Sequence, residues 1–128
     1  MRLGRTALAT MLMSNVVELK FQRRIDKPGH NAYRRMLCTN DKTLLLSTPG
    51  RNVLNYNPPT GGSLKYNPAA KNLIPVWDIF MQDYRMINCN NVEVIAIIRS
   101  TPANDFWKYF YESIAPMSAD QKAHFMDV

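Results

Sequence analysis

A run of β-branched, aromatic and other apolar residues from 72 to 98 constrains the fold of this chain more than any other feature. It divides into three segments that favour strands: Leu73 to Phe80, Tyr84 to Cys89 and Val92 to Ile98. Residues 81 to 83 suit a three-residue turn, and Asn90-Asn91 suits a two-residue hairpin because asparagine tolerates positive φ. A meander of three such strands needs further strands or a covering helix, so we expect a larger sheet.

Two more strands precede this run. Residues 16 to 23 alternate between apolar and polar side chains, the pattern of a half-buried strand, and its apolar face consists of Val17, Leu19 and Phe21. Residues 32 to 39 form the return strand after a Pro-Gly turn. This strand carries Arg34 and Arg35 next to each other, so we expect one arginine over the core and the other in solvent.

Helices are predicted at both ends of the chain. Residues 3 to 13 predict a short amphipathic helix; their basic start resembles a signal peptide faintly, but threonines interrupt the apolar stretch. Residues 101 to 126 predict two helices packed on the sheet, the second opened by a Ser-x-x-Gln capping box. Trp107 and Tyr111 form a ridge on the first of these helices. In so small a domain this ridge favours core, with a partner-binding surface as the alternative.

Between the sheet segments, residues 41 to 46 fit a short strand or one helical turn equally well. Residues 47 to 71 are rich in proline, glycine and asparagine and predict a long loop, a feature that is often functional in compact domains. Its tyrosines and basic residues would let it close over a nucleotide or a single strand. The equally weighted alternative is an ordinary loop whose tyrosines pack back onto the sheet.

The amino-acid composition limits the classes of function that this chain can have. At 128 residues, with 46% apolar and 20% charged residues, the chain predicts a single globular domain over 1–128, and no apolar run reaches membrane-helix length. Cys38 and Cys89 have no metal-ligand spacing and lie in predicted strands, so we expect reduced thiols in the cytoplasm and no metal site. No nucleophile or acid–base pair and no phosphate-binding glycine loop is visible, so we expect no catalysis and no cofactor.

The charge is distributed unevenly. The net charge is +6, but residues 1–71 carry 12 Lys or Arg against 3 Asp or Glu, whereas residues 72–128 carry 4 against 7. A basic half suits a polyanion, and the alternative is a solvated basic surface. The candidate anion contacts are Lys20, Arg23, Arg34, Arg35, Arg51, Lys65, Lys71 and Arg85, with Tyr56 and Tyr66 as stacking platforms.

The order of several motifs resembles the second WYL family. Val76-Trp77-Asp78 is followed after a gap by Tyr84-Arg85 and an apolar strand, and Val16 to Phe21 and Arg35 to Thr39 agree upstream. The resemblance covers roughly residues 5 to 98 and implies a phage-encoded Sm-like, Src-homology-3-type β-barrel of about five strands. Asn88 stands where such proteins tend to carry a basic residue. Related WYL domains of bacterial regulators resemble sensors of nucleic acid or nucleotide-like ligands. The resemblance therefore implies a ligand of this kind by analogy of fold.

These observations predict a mainly β domain with flanking α-helices, acting as a non-enzymatic phage protein in the host cytoplasm. Its ligand would be single-stranded nucleic acid or a nucleotide, bound through the basic half. One alternative is an inhibitor of a host protein that uses the Trp107–Tyr111 ridge, and another is a sponge for nucleotide immune signals. A homodimer is compatible with the exposed edges that small barrels carry.

Overall fold

The computed structural model describes residues 1–22, 28, 33–58, 72–100 and 104–127, and within these a five-stranded antiparallel sheet is flanked by five α-helices. The strands are β1 (Asn15–Gln22), β2 (Tyr33–Thr39), β3 (Leu73–Asp78), β4 (Asp83–Asn88) and β5 (Val92–Arg99). The helices are α1 (Arg5–Leu12), α2 (Lys42–Leu45), α3 (Thr48–Val53), α4 (Asn104–Tyr109), which passes into a π-helical turn (Phe110–Ile114), and α5 (Ala119–Met126). All five predicted strands are therefore confirmed, with ends that shift by a residue or two.

The strand order is β4-β3-β2-β1-β5, and it corrects the predicted three-stranded meander. The Asn90-Asn91 link is a tight turn in which the Asn91 amide donates to the Asn88 carbonyl at 3.0 Å. The chain then leaves β4, and β5 pairs with the outer edge of β1 from Asn15↔Arg99 to Phe21↔Val92. Among the described residues no ladder joins β4 to β5, so the sheet is open and the closed barrel is not confirmed.

The β3–β4 hairpin turn differs from the predicted three-residue turn at 81 to 83: residues 79 to 82 link the two strands, and Asp83 already pairs with Asp78. Gln82 takes a φ of 54°, and its amide donates to the Asp78 carbonyl at 2.8 Å. Pro75 pairs with Met86 of β4. On its other side β3 pairs with β2 only at Asp78 and Trp77, the end of the strand away from this proline. Because proline has no backbone N–H, Pro75 cannot donate a hydrogen bond to β2. This agrees with the end of β2–β3 pairing before residue 75 is reached.

Both faces of the sheet carry buried apolar residues, which is why β1, β2 and β3 have apolar residues in adjacent positions. Helix α1 covers one face, where the buried residues are Leu8, Leu12, Val17, Leu19, Met36, Cys38, Ile74, Val76, Ile87, Cys89, Val92 and Val94. Helices α2, α3 and α4 and the π-helical turn cover the other, where the buried residues are Val16, Leu37, Leu44, Leu45, Leu54, Tyr56, Trp77, Ile79, Phe106, Phe110 and Ile114. We call the first the inner face.

The prediction of a loop over residues 47 to 71 is wrong for residues 48 to 53, which form α3. Asp41 caps α2 by accepting from the amides of Thr43 and Leu44, so residues 42 to 45 are helical. The Ser47 side chain then accepts from the Gly50 amide at 3.1 Å and caps α3. These polar side-chain caps stabilise the start of each short helix. Residues 59 to 71 lie outside the described part of the chain.

Candidate anion-binding site

Three neighbouring strands place a charged residue at the same end of the inner face. Side chains two apart on a strand point to the same side, so each strand contributes one inward row. These rows are Cys38, Met36 and Arg34 on β2; Ile74, Val76 and Asp78 on β3; and Ile87, Arg85 and Asp83 on β4. An otherwise apolar face therefore ends in two arginines and two aspartates, and Asp83 pairs with Asp78 across the β3–β4 hairpin.

Asp78 is the centre of this charged cluster. Its side chain is 1% exposed, and its Oδ2 atom lies 3.8 Å from Nη2 of Arg34. Its Oδ1 atom accepts hydrogen bonds from the amides of Phe80 and Met81, both at 3.0 Å. Oδ2 has no hydrogen-bond partner among the described residues. Asp78 thus caps the turn that follows β3, and sequence reasoning missed its contact with an arginine of β2.

Burial raises the pKa of Asp78 above the ordinary carboxyl value. The Met81 amide and the positive charges of Arg34 and Arg85 act in the opposite direction, because they favour the ionised form. The same burial, together with the charge of Asp78, raises the pKa of the neighbouring Cys38 thiol. Cys38 therefore remains a neutral thiol. Arg34 lies beside Asp78 and Arg85 beside Asp83, so each arginine of the cluster has one carboxylate next to it.

A cavity of about 150 Å³ opens beside this cluster, where the last residues of β1 and the first residues of β2 face β4 and the start of β5. Two arginines, three amide side chains and five apolar residues line it: Arg34, Arg85, Gln22, Asn88, Asn91, Phe21, Met36, Met86, Ile87 and Val92. The cavity exists because β4 and β5 do not pair. Two of the ten candidate residues predicted from sequence, one from each half of the chain, thus share one cavity.

The two arginines are held by contacts that leave them partly exposed. Arg85 Nη1 donates to Oδ2 of Asp83 at 3.2 Å and to the Tyr84 carbonyl at 3.0 Å. Arg34 Nη2 approaches the Met126 sulfur at 3.7 Å, and the backbone of Arg34 forms a bridge with Asp127. The Asp83 carboxylate is exposed, and such surface pairs contribute little free energy. An anionic ligand would therefore compete with weak partners at Arg85.

Arg35 and Lys20 lie on the opposite face of the sheet, paired across β1 and β2. The prediction that one of the two adjacent arginines faces solvent is wrong, because Arg35 is half-buried beneath α5. Its Nε donates to the Phe125 carbonyl at 2.8 Å, and its guanidinium lies 4.2 Å from the centre of the Phe125 ring. Lys20 Nζ lies 5.0 Å from the Tyr33 ring. These two cations do not line the cavity.

Tyr56 does not have the exposure of a stacking platform, since it is 5% exposed and belongs to the core. Its ring meets Trp77 and Tyr84 edge-on, at centroid distances of 5.1 and 6.1 Å. Its hydroxyl lies 2.6 Å from the Tyr84 hydroxyl and accepts from Lys42 Nζ at 2.7 Å. Burial and the hydrogen bond with Tyr56 raise the pKa of Tyr84. This matches the alternative interpretation, in which the tyrosine packs back onto the sheet.

The remaining candidates are dispersed or undescribed. Arg51 is exposed on α3 and does not line the cavity. Arg23, Lys65, Lys71 and Tyr66 lie outside the described residues. In the second predicted contact surface, Trp107 is half-buried against Phe106, with ring centroids 4.9 Å apart, while Tyr111 beside it is 55% exposed. The ridge is therefore part core and part surface.

Comparisons with family models, with curated proteins and with solved structures found no match. Within the described ranges no group of three or more His, Cys, Asp or Glu residues is arranged to hold a metal ion. Nor does any described helix have the length and apolar character needed to cross a lipid bilayer.

Proposed function

We propose that this chain is a non-enzymatic, phage-encoded protein that binds single-stranded nucleic acid or a nucleotide. The observation that carries the proposal is the convergence of Arg34 and Arg85 on one cavity from strands that are far apart in sequence. Arginine recognises phosphate oxygens with its planar fork of N–H donors. Their placement in inward rows, where apolar side chains would otherwise be expected, costs stability and therefore argues for a role in binding.

The asymmetry of charge supports the same proposal. The basic half of the chain supplies β1 and β2, and the potential of such a surface attracts polyanions. The resemblance to the second WYL family implies a small five-stranded barrel and a ligand of the nucleic-acid type. The five-stranded sheet of this protein is open between β4 and β5. We place this activity in the cytoplasm of a bacterial host.

The test is a fluorescence-anisotropy titration of a labelled oligothymidylate. We expect binding at about 50 mM salt and a steep loss of affinity at about 200 mM, because neutralised phosphates release counterions. Arg85→Gln should weaken binding and reduce the salt slope by about one unit. Arg99→Gln is the matched control, since it removes the same charge from an exposed position that does not line the cavity. If neither the oligonucleotide nor a mononucleotide binds at about 50 mM salt, the proposal is wrong.

A second candidate function is inhibition of a host protein, and the exposure of Tyr111 favours it. An exposed aromatic side chain in contact with a half-buried one, here Trp107, is a common anchor at protein interfaces. A pull-down from host lysate, with and without nuclease, distinguishes the two candidates. A captured protein that resists nuclease and is lost in Tyr111→Ala supports inhibition, whereas recovery of nucleic acid or of small nucleotides supports the first proposal.

A further inference from the structure

The lining of the cavity differs from that of a simple phosphate site. A site for phosphate alone needs only donors, but five of the residues here are apolar, among them Phe21, Met36 and Ile87. Gln22, Asn88 and Asn91 add amide groups, which offer both hydrogen-bond donors and acceptors. A ligand that uses the whole lining therefore has an anionic part, an apolar face and a polar edge.

The size of the cavity limits that ligand further. An engineered apolar cavity of about 150 Å³ accepts benzene, whereas pockets for drug-sized molecules begin at about 300 Å³. At about 150 Å³ this cavity holds one flat six-membered ring and leaves any attached groups at its mouth. A stacked pair of bases or a cyclic dinucleotide is too large to enter it completely.

We propose that the cavity accepts one nucleobase, with the phosphate of the same nucleotide on Arg34 and Arg85. The inference rests on the proposed function and assigns the base to the cavity rather than to the tyrosines predicted from sequence. The methionine thioethers of Met36 and Met86 make favourable contacts with aromatic rings, and the amides meet the polar edge of the base. The ligand class is a nucleoside phosphate, either free or as one unit of a single strand.

Methionine methyl NMR tests this inference directly. The protein is labelled with ¹³C at the methionine methyl groups, and the signals of Met36 and Met86 are assigned with the Met36→Leu and Met86→Leu variants. It is then titrated separately with thymidine 5′-monophosphate, ribose 5-phosphate and an oligothymidylate. The methyl group of Met81 is the internal control, because this residue lies exposed in the β3–β4 turn and does not line the cavity.

We expect thymidine 5′-monophosphate to bind at least about tenfold more tightly than ribose 5-phosphate, because only the former carries a nucleobase to bury. Ring currents from the base should shift the Met36 and Met86 signals and leave Met81 unchanged. Arg85→Gln should weaken all three probes, and Arg99→Gln should not. Shifts with the mononucleotide indicate a free ligand, whereas shifts with the oligonucleotide alone indicate a base taken from a strand; both results support the inference.

Two outcomes separate the failure of this inference from the failure of the proposed function. Equal affinities for thymidine 5′-monophosphate and ribose 5-phosphate, with unshifted Met36 and Met86 signals, would show that the base stays outside the cavity. That result overturns the inference and leaves anion binding at Arg34 and Arg85 intact. Absence of binding by all three probes at about 50 mM salt overturns both.

Discussion

The guanidinium of Arg34 lies 3.8 Å from the buried carboxylate of Asp78, measured between Nη2 and Oδ2. Residue 34 lies near the start of β2, four residues before Cys38, and residue 78 ends β3 and pairs with Cys38. Because Oδ2 has no hydrogen-bond partner among the described residues, the arginine compensates the buried charge only in part. The charge state of Asp78 therefore links pH to stability and, under the proposed function, to anion binding.

The first prediction concerns stability against pH. The pKa of Asp78 is raised in the folded protein, so between the ordinary carboxyl value of about 3.9 and that raised value the folded state binds more protons than the unfolded state. The contribution of Asp78 to the free energy of unfolding consequently falls as pH rises through this interval. Asp78→Asn does not titrate and should remove that contribution. Denaturant titrations at a series of pH values measure the difference; parallel profiles for the two proteins would contradict it.

The second prediction concerns anion affinity. A neutral Asp78 no longer competes for Arg34 and Arg85, so affinity for an oligothymidylate should rise as pH falls through the folded pKa of Asp78. Phosphodiesters and thymine do not titrate in this range, so the effect reports on the protein. Asp78→Asn should bind more tightly than the wild type at neutral pH and lose most of the pH dependence. A pH dependence that survives unchanged in Asp78→Asn would locate the titrating group elsewhere.

The strands could be predicted from sequence because their signal is local. Alternation in β1 and the β-branched runs of β3 and β5 reflect which side chains are buried, and the structure confirms the inward set Val17, Leu19 and Phe21. The pairing partner of β5 has no local signal. A two-residue link such as Asn90-Asn91 is compatible with a hairpin and also with a next strand that pairs elsewhere. Here, in the described part of the chain, β5 pairs with the free edge of β1 and not with β4.

The site could be predicted only in part for the same reason. Net charge indicated a basic half, but it did not show that Arg34 and Arg85 converge while Arg35 turns to the other face. One signal was available: on strands whose other inward positions are apolar, a charged residue at an inward position stands out. Applied to β2, β3 and β4, that rule selects Arg34, Asp78, Asp83 and Arg85. Tyr56 was misjudged because a proline-rich stretch does not show which of its rings pack into the core.

The third prediction tests the junction of α2 and α3. A Cβ atom at Gly50 would lie 2.1 Å from the Leu44 carbonyl oxygen and 2.7 Å from that of Leu45, and backbone atoms cannot move aside cheaply. Gly50→Ala should therefore lower the free energy of unfolding by about 2–3 kcal/mol or more in a denaturant titration. Gly4→Ala is the control, since no atom lies within 4 Å of its added Cβ, and it should change stability by less than about 0.5 kcal/mol. Equal effects would contradict the clash.

The fourth prediction concerns the hydroxyl cluster of Tyr56, Tyr84 and Lys42. Tyr56→Phe keeps the ring against Trp77 but removes the hydroxyl that contacts both other residues. We expect a loss of about 1 kcal/mol in the free energy of unfolding, the usual net value of a buried hydrogen bond. Tyr111→Phe removes an exposed hydroxyl and should change stability by less than about 0.5 kcal/mol. Equal stabilities of the two variants would show that the cluster does not contribute.

The last prediction concerns the attachment of α5. This helix has no fully buried residue, and its described contacts with the sheet pass through Arg34, Arg35 and Phe80. Arg35→Met removes the hydrogen bond to the Phe125 carbonyl and the cation–π contact with its ring. These two interactions together contribute roughly 1–2 kcal/mol. Amide hydrogen exchange in α5 should therefore accelerate by about five- to thirtyfold, while the strands exchange as before.

Lys20→Met is the matched control for this experiment, because Lys20 pairs with Arg35 across β1 and β2 and loses the same charge on the same face. Its described cation–π contact is with Tyr33, not with α5, so the exchange of α5 should stay at the wild-type rate. Equal acceleration in both variants would mean that general charge, not the Arg35–Phe125 contact, holds the helix. Unchanged exchange in Arg35→Met would mean that Phe80 and the Arg34–Asp127 bridge hold it without Arg35.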